Sequence, residues 1–136
     1  MSYAVSEALQ VAVFTALTGA EAVATLAGDH IYDAVPSGAL PNLYIALGEE
    51  KVRDLSSKTG AGAMHDLSVE IHGDVAGFQT VKALAAAVCD ALIDTNLTLS
   101  RGSLTNLQFK FARARKGISP DQRVISLTFR ALVSDI

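Results

Sequence analysis

The stretch Ser56–Asp74, "SSKTGAGAMHDLSVEIHGD", holds the two signals that decide the fold. Its second half alternates: Leu67, Val69 and Ile71 are apolar, while Asp66, Ser68, Glu70 and His72 are polar. Successive side chains of a strand point to opposite faces, so this period of two predicts a strand with one apolar face. Its first half carries Gly60 and Gly62 and no large apolar group before Met64, which predicts a loop. Upstream, "LYIALGEEKVRDL" predicts a strand from Leu43, with Leu43, Ile45 and Leu47 on one face. Two strands flank the glycines, so Ser56–Asp66 forms the tip of a long hairpin.

Working outward, Val5, Leu9, Ala12, Ala16 and Leu17 recur at helical spacing. They predict an amphipathic helix over 3–18 with Ser2 as N-cap and Gly19 as its stop. A short helix follows over 21–27, ended by Gly28. Pro36, Gly38 and Pro41 mark residues 29–42 as an irregular connector. Past the hairpin, Asp74 is the expected cap of an Ala-rich helix over 75–93, with Phe78, Val81, Leu84 or Ala85, Val88 and Leu92 on its apolar stripe. "LTLS" then reads as a strand fragment. "LTNLQFKFARAR" reads as a strand with Leu107, Phe109 and Phe111 on one face, and "RVISLTFRALV" as the last strand, the two joined by a turn with Gly117 and Pro120. Runs of strands broken by one helix give an α+β fold. We expect a mainly antiparallel sheet of four to five strands, with an N-terminal helix and one long Ala-rich helix packed on it, as one domain over 1–136.

Half of the residues are hydrophobic and 18% are charged, which excludes a disordered chain. The lone cysteine, Cys89, excludes an internal disulfide and reads as a small buried hydrophobe. No apolar run approaches the roughly 18–20 residues that span a bilayer, and the N-terminus lacks a positive signal-peptide region. The expected site of synthesis is therefore the cytoplasm, with no membrane step. Net charge is −3, but it is unevenly placed: residues 1–100 carry 4 basic and 12 acidic side chains, and residues 101–136 carry 7 and 2. Such asymmetry marks either nucleic-acid contact or a subunit whose basic face meets its neighbour's acidic face.

Lys58-Thr59-Gly60 matches one element of penicillin-interacting serine enzymes, but no Ser-x-x-Lys or Ser-Asp-Asn accompanies it. A phosphate loop is excluded too, because Ser57 precedes Lys58 and a strand, not a helix, follows the glycines. His65, Asp66, His72 and Asp74 do not make a metal site. Asp66 and His72 share the face opposite His65, about 20 Å apart by strand rise, and read as solvated strand polars with Asp74 as a cap. No catalytic residue, metal site or cofactor is expected. Lys110, Arg113, Arg115 and Lys116, with Arg101, Arg123 and Arg130, form a basic C-terminal hairpin. Phe109 and Phe111 fall on its apolar side, so core packing and subunit contact are favoured over base stacking.

The ordered set of "IYDAVPSGALPNLYIALGEE", "SSKTGAGAMHDLSVEIHGD", "LAAAVCDAL" and the basic hairpin resembles the tail terminator, or tail-completion, proteins of long-tailed phages, prophages and gene transfer agents. The resemblance covers nearly the whole chain. It implies a homo-oligomeric ring, usually a hexamer, that ends the tail tube and docks to the head connector or adaptor, with DNA passing through its lumen. The protein partners are then other copies, the tail tube protein and the connector, first in the cytoplasm and then in the particle's tail or neck. Other classes weighed are another head–tail adaptor, a small hydrolase and a nucleic-acid binder. Two expectations concern residues. Arg101, Lys110, Arg113, Arg115, Lys116 and Arg123 meet a neighbour's Glu49, Glu50 or Asp54. Residues 55–65 form an assembly arm, with contacts at Lys58, Thr59, Gly60, Gly62 and Met64, and removal of residues 59–63 is expected to spare folding.

Overall fold

A computed structural model of the chain describes residues 3–58, 60–74, 78–93, 96–117, 119 and 121–135. Its elements run α1 (Ser6–Gly19), α2 (Glu21–Ala27), β1 (Ile31–Tyr32), β2 (Leu43–Asp54), β3 (Gly62–Gly73), α3 (Gln79–Ile93), β4 (Ser103–Lys116) and β5 (Arg123–Ser134). The strands form one sheet in the order β1-β2-β3-β5-β4. Only the two-residue β1 pairs in parallel, Ile31 with Ile45 and Tyr32 with Ala46. The remaining neighbours are antiparallel. The α+β architecture read from the pattern of strands is therefore the one observed.

The core forms where one alternating strand set meets the helical stripes. Val69 and Ile71 of β3, and Ile125, Leu127, Phe129, Ala131 and Val133 of β5, pack with Leu9, Val13 and Leu17 of α1 and Val81, Leu84 and Val88 of α3. Buried Ala85, Ala87 and Ala91 let α3 lie close to its neighbours. Phe129 is fully buried at the centre of β5. Each such side chain removed from water stabilises the fold by about 1.5–3 kcal/mol. The opposite face of the sheet carries the polar set of β3, Asp66, Ser68, Glu70 and His72.

Several local expectations change. Helix α1 starts at Ser6, with buried Val5 at the cap position and no side-chain cap bond, so burial rather than a serine fixes its start. Ser2, Val75 and Pro120 lie outside the described residues. Helix α3 is described from Gln79, and the Phe78 carbonyl accepts the Lys82 N–H. The Asp74 N–H donates to the Asn42 carbonyl; the N–H groups that its side chain is expected to cap fall on residues 75–77, which lie outside the described residues. The "LTLS" segment is not a strand. Leu97 and Leu99 pack against the core from an irregular segment, so their alternation reports burial without pairing. Gly102 then turns the chain into β4 at φ 71°, and a Cβ there would come within 2.5 Å of the Ser134 carbonyl oxygen.

Candidate assembly surfaces

The hairpin tip is shorter than the glycines suggest. The Leu55 N–H donates to the Gly62 carbonyl and the Ser57 N–H to the Gly60 carbonyl, each at 2.9 Å. Asp54 accepts from Ser56 Oγ at 2.6 Å and from its N–H at 3.2 Å, and these bonds hold the Asp54 carboxyl below its ordinary range. Lys58 stands exposed at the turn; Thr59 lies outside the described residues. Gly62 and Met64 belong to β3, paired with Ser134 and Leu132 of β5. Ala63 is 1% exposed, so deleting residues 59–63 removes part of the core. The expectation that such a deletion spares folding is corrected on that ground.

Register irregularities decide which way the charged residues face. Between Leu47 and Glu50 the pairing of β2 with β3 shifts, so that Glu50 pairs with Leu67 on the helix side. Its carboxylate accepts from Tyr3 Oη at 2.5 Å and Ser6 Oγ at 2.7 Å through one oxygen. The other oxygen lies 3.0 Å from Nδ1 of His65. A carboxylate only accepts, so the ring proton sits on Nδ1. Burial pushes the Glu50 carboxyl up; the bonds from Tyr3, His65 and Ser6 outweigh it and hold the group below its ordinary value. His65 is fully buried, and its Nε2 has no hydrogen-bond partner among the described residues. It is therefore a core residue joining α1 to the sheet, not a solvated polar. Its phase with Leu67 and Ile71 was visible in the sequence; the shift that brings Glu50 to it was not.

A second irregularity sits at Lys110. Phe109 pairs with Phe129 and Phe111 with Thr128, one residue out of step. Phe111 therefore lies on the face away from the helices, not beside Phe109 as the alternation predicts. There it lines a shallow depression with Glu49, Glu70, Arg113, Arg115 and Ser126. Glu49 is exposed, whereas Glu50 already has three partners in its own chain. Arg115 reaches Glu70 at 3.7 Å. Arg101 donates two bonds to Asp135, at 3.1 and 2.9 Å, and Arg130 two to Asp66, at 2.8 and 3.2 Å. Arg123 pairs in register with Lys116 and places its guanidinium 5.3 Å from the centre of the Phe78 ring. Lys110 and Arg113 are exposed.

The remaining reactive groups are structural. His72 stacks on Tyr44 with ring centres 4.7 Å apart, and its Nε2 lies 3.1 Å from Glu70. Burial, with Glu70 and Tyr32 nearby, pushes the Tyr44 hydroxyl up. Burial and Asp90 raise the Cys89 thiol, which disfavours the reactive thiolate. Among the described residues no three metal-binding side chains converge.

A family model for the tail completion protein gp17 matches residues 11–134. The chain belongs to that family. No curated protein matches it. Among solved structures, a chain in the "Virion of native gene transfer agent (GTA) particle" superposes with a TM-score of 0.92 at 51% identity, over 98% of this chain and 99% of that one. The resemblance carried by the sequence is thus borne out. Tail completion is a structural task, and the protein is a structural protein rather than an enzyme.

Proposed function

We propose that this protein forms a closed ring, of six copies, on the last layer of the tail tube of a phage-like particle. The ring stops tube polymerisation, offers its other face to the head connector, and lets DNA pass through its lumen. The observation that carries this reading is family membership over residues 11–134, joined to a 51%-identical relative within a gene transfer agent virion. The surface chemistry supports it. Acidic and basic groups are separated along the chain, which suits head-to-tail contacts closing by rotation. Lys58 at the hairpin tip contacts the tube or a neighbouring subunit.

Imaging particles made without this protein tests the reading. Overlong or headless tails are expected. Tailless heads with tubes of normal length would instead make the protein a head–tail adaptor.

A further inference from the structure

The helices cover the two ends of the strand order unequally. α1 stands beside β2: Tyr3 and Ser6 bond to Glu50, and Gln10 lines a small depression with Leu47 and Gly48. Glu7, Gln10 and Phe14 follow at spacings of three and four, which sets them on one flank of α1, with Tyr3 just ahead. That flank is not closed: Tyr3 is 63% exposed, and Glu7 and Gln10 are exposed too. At the other end of the order, β4 is the edge strand, and its helix side is open past Leu107. Phe109 is 45% exposed there, and Ala112 and Ala114 are exposed although they pair with the buried Leu127 and Ile125.

From this arrangement we infer that α1 of one copy lies along the open helix side of β4 in the next, so that the helix layers of adjacent subunits become continuous. The inference rests on the ring reading and adds its contact geometry. Height and direction favour it. Glu50 lies in one row across the sheet with Leu67, Phe129 and Phe109. Further along β4, Ala114 lies in one row with Ile125, Ile71, Ile45 and Ile31 of β1. α1 starts beside Glu50 and packs on β1, so it runs the same way as β4 at the same height. A copy set alongside without sliding therefore brings Tyr3 to Phe109 and Glu7 to Lys110. Glu21 opens α2 just past α1, about 20 Å from Glu7 by helical rise, and Lys116 lies about 20 Å from Lys110 by strand rise. Glu21 then meets Lys116, and Gln10 and Phe14 meet Ala112 and Ala114, whose small side chains admit a helix.

Charge selects the occupant. α1 and α2 carry Glu7 and Glu21 and no basic residue, whereas β4 carries Lys110, Arg113, Arg115 and Lys116 and no acidic one. Two β4 strands set against each other, or two α1 helices, would oppose like charges, which is destabilising. Lys51 and Arg53 stand in the rows of Gln108 and Asn106, so in the added copy they stay clear of the basic run at 110–116. The contact is heterologous, the type that closes into a ring by rotation. A helix laid over an edge strand also guards it against unwanted strand pairing.

The test exchanges charge between copies and counts rings at the ends of tail tubes by electron microscopy. One variant carries Glu7→Lys and Glu21→Lys, the other Lys110→Glu and Lys116→Glu. All four positions are exposed, and thermal unfolding of each variant checks that the fold is kept. Either variant alone is expected to lower ring occupancy about tenfold, because every contact then opposes like charges. An equal mixture is expected to restore it, because alternating copies oppose unlike charges at every contact. A second measurement changes no charge and decides alone where a charge variant unfolds. In a Cys89→Ala background, Gln10→Cys with Ala112→Cys is expected to give a ladder of covalent multimers with a short bis-maleimide, and neither cysteine alone is. Full occupancy by either charge variant alone, or rings of the cysteine pair without a ladder, overturn the inference. Losses that mixing does not restore overturn it too, and seat the tube protein rather than a second copy on these surfaces. Each of these results leaves the ring reading standing if the unaltered protein forms rings; no rings from the unaltered protein overturn that reading itself.

Discussion

β4 and β5 lie side by side with nearly the same alternation of apolar and polar residues, yet their fates differ. β5 is flanked on both sides and buries Ile125, Leu127, Phe129, Ala131 and Val133. β4 is flanked once, and most of its residues stay exposed, Phe109 and Phe111 among them. Alternation therefore states which side chains are suited to burial; the neighbours decide whether burial occurs. In β5 the subunit's own core supplies the cover. In β4 it covers Leu104 and Leu107 and leaves Phe109 and Phe111 exposed.

The largest expected effect is at Phe129. Phe129→Ala should lower unfolding stability by about 3–5 kcal/mol in a denaturant titration. Phe111→Ala should change it by no more than about 0.5 kcal/mol, while lowering the yield of completed tails. Equal losses of stability at the two sites would erase the distinction between the strands.

Next comes the buried cluster on the helix side. Glu50→Gln should cost about 1–3 kcal/mol at pH 7, because Tyr3, Ser6 and His65 lose a charged acceptor. The Glu50 carboxyl is held below its ordinary value of 4.5. Its contribution to stability is thus present above that value and is lost as pH falls through the lowered folded value. The variant should show a shallower loss of stability below pH 4.5 than the unaltered protein. Parallel acid profiles would show that Glu50 does not anchor α1.

Smaller still is the pair on the open face. Arg130→Ala should lower stability only slightly, because its bonds to Asp66 stay partly in water. The charge reversals Arg113→Glu and Arg115→Glu should leave stability within about 1 kcal/mol of the unaltered protein. They should lower ring occupancy in native mass spectrometry, because the proposed contact of the basic hairpin with a neighbour's carboxylates loses its charge complementarity. Full occupancy would mean that the basic strand is only a solvated edge.

The fold was legible where the pattern is local and long. Val69 and Ile71, the stripe of α3 and the Gly28 stop of α2, which adopts φ 62°, all sit where sequence places them. What escaped depends on pairing. A one-residue shift turned Glu50 inward and Phe111 outward, and no residue type announces either shift. β1 is two residues long, below what alternation can signal. The assembly surface was partly legible, since four basic residues within "FKFARARK" are plain in the chain. That they lie on an edge strand follows only from the strand order.

The ring account is tested most directly by imaging the protein mixed with tail tubes. It requires closed rings of copies seated at one tube end, with no further growth at that end. Protein bound only to head connectors, or tubes that lengthen past the bound copies, would contradict it.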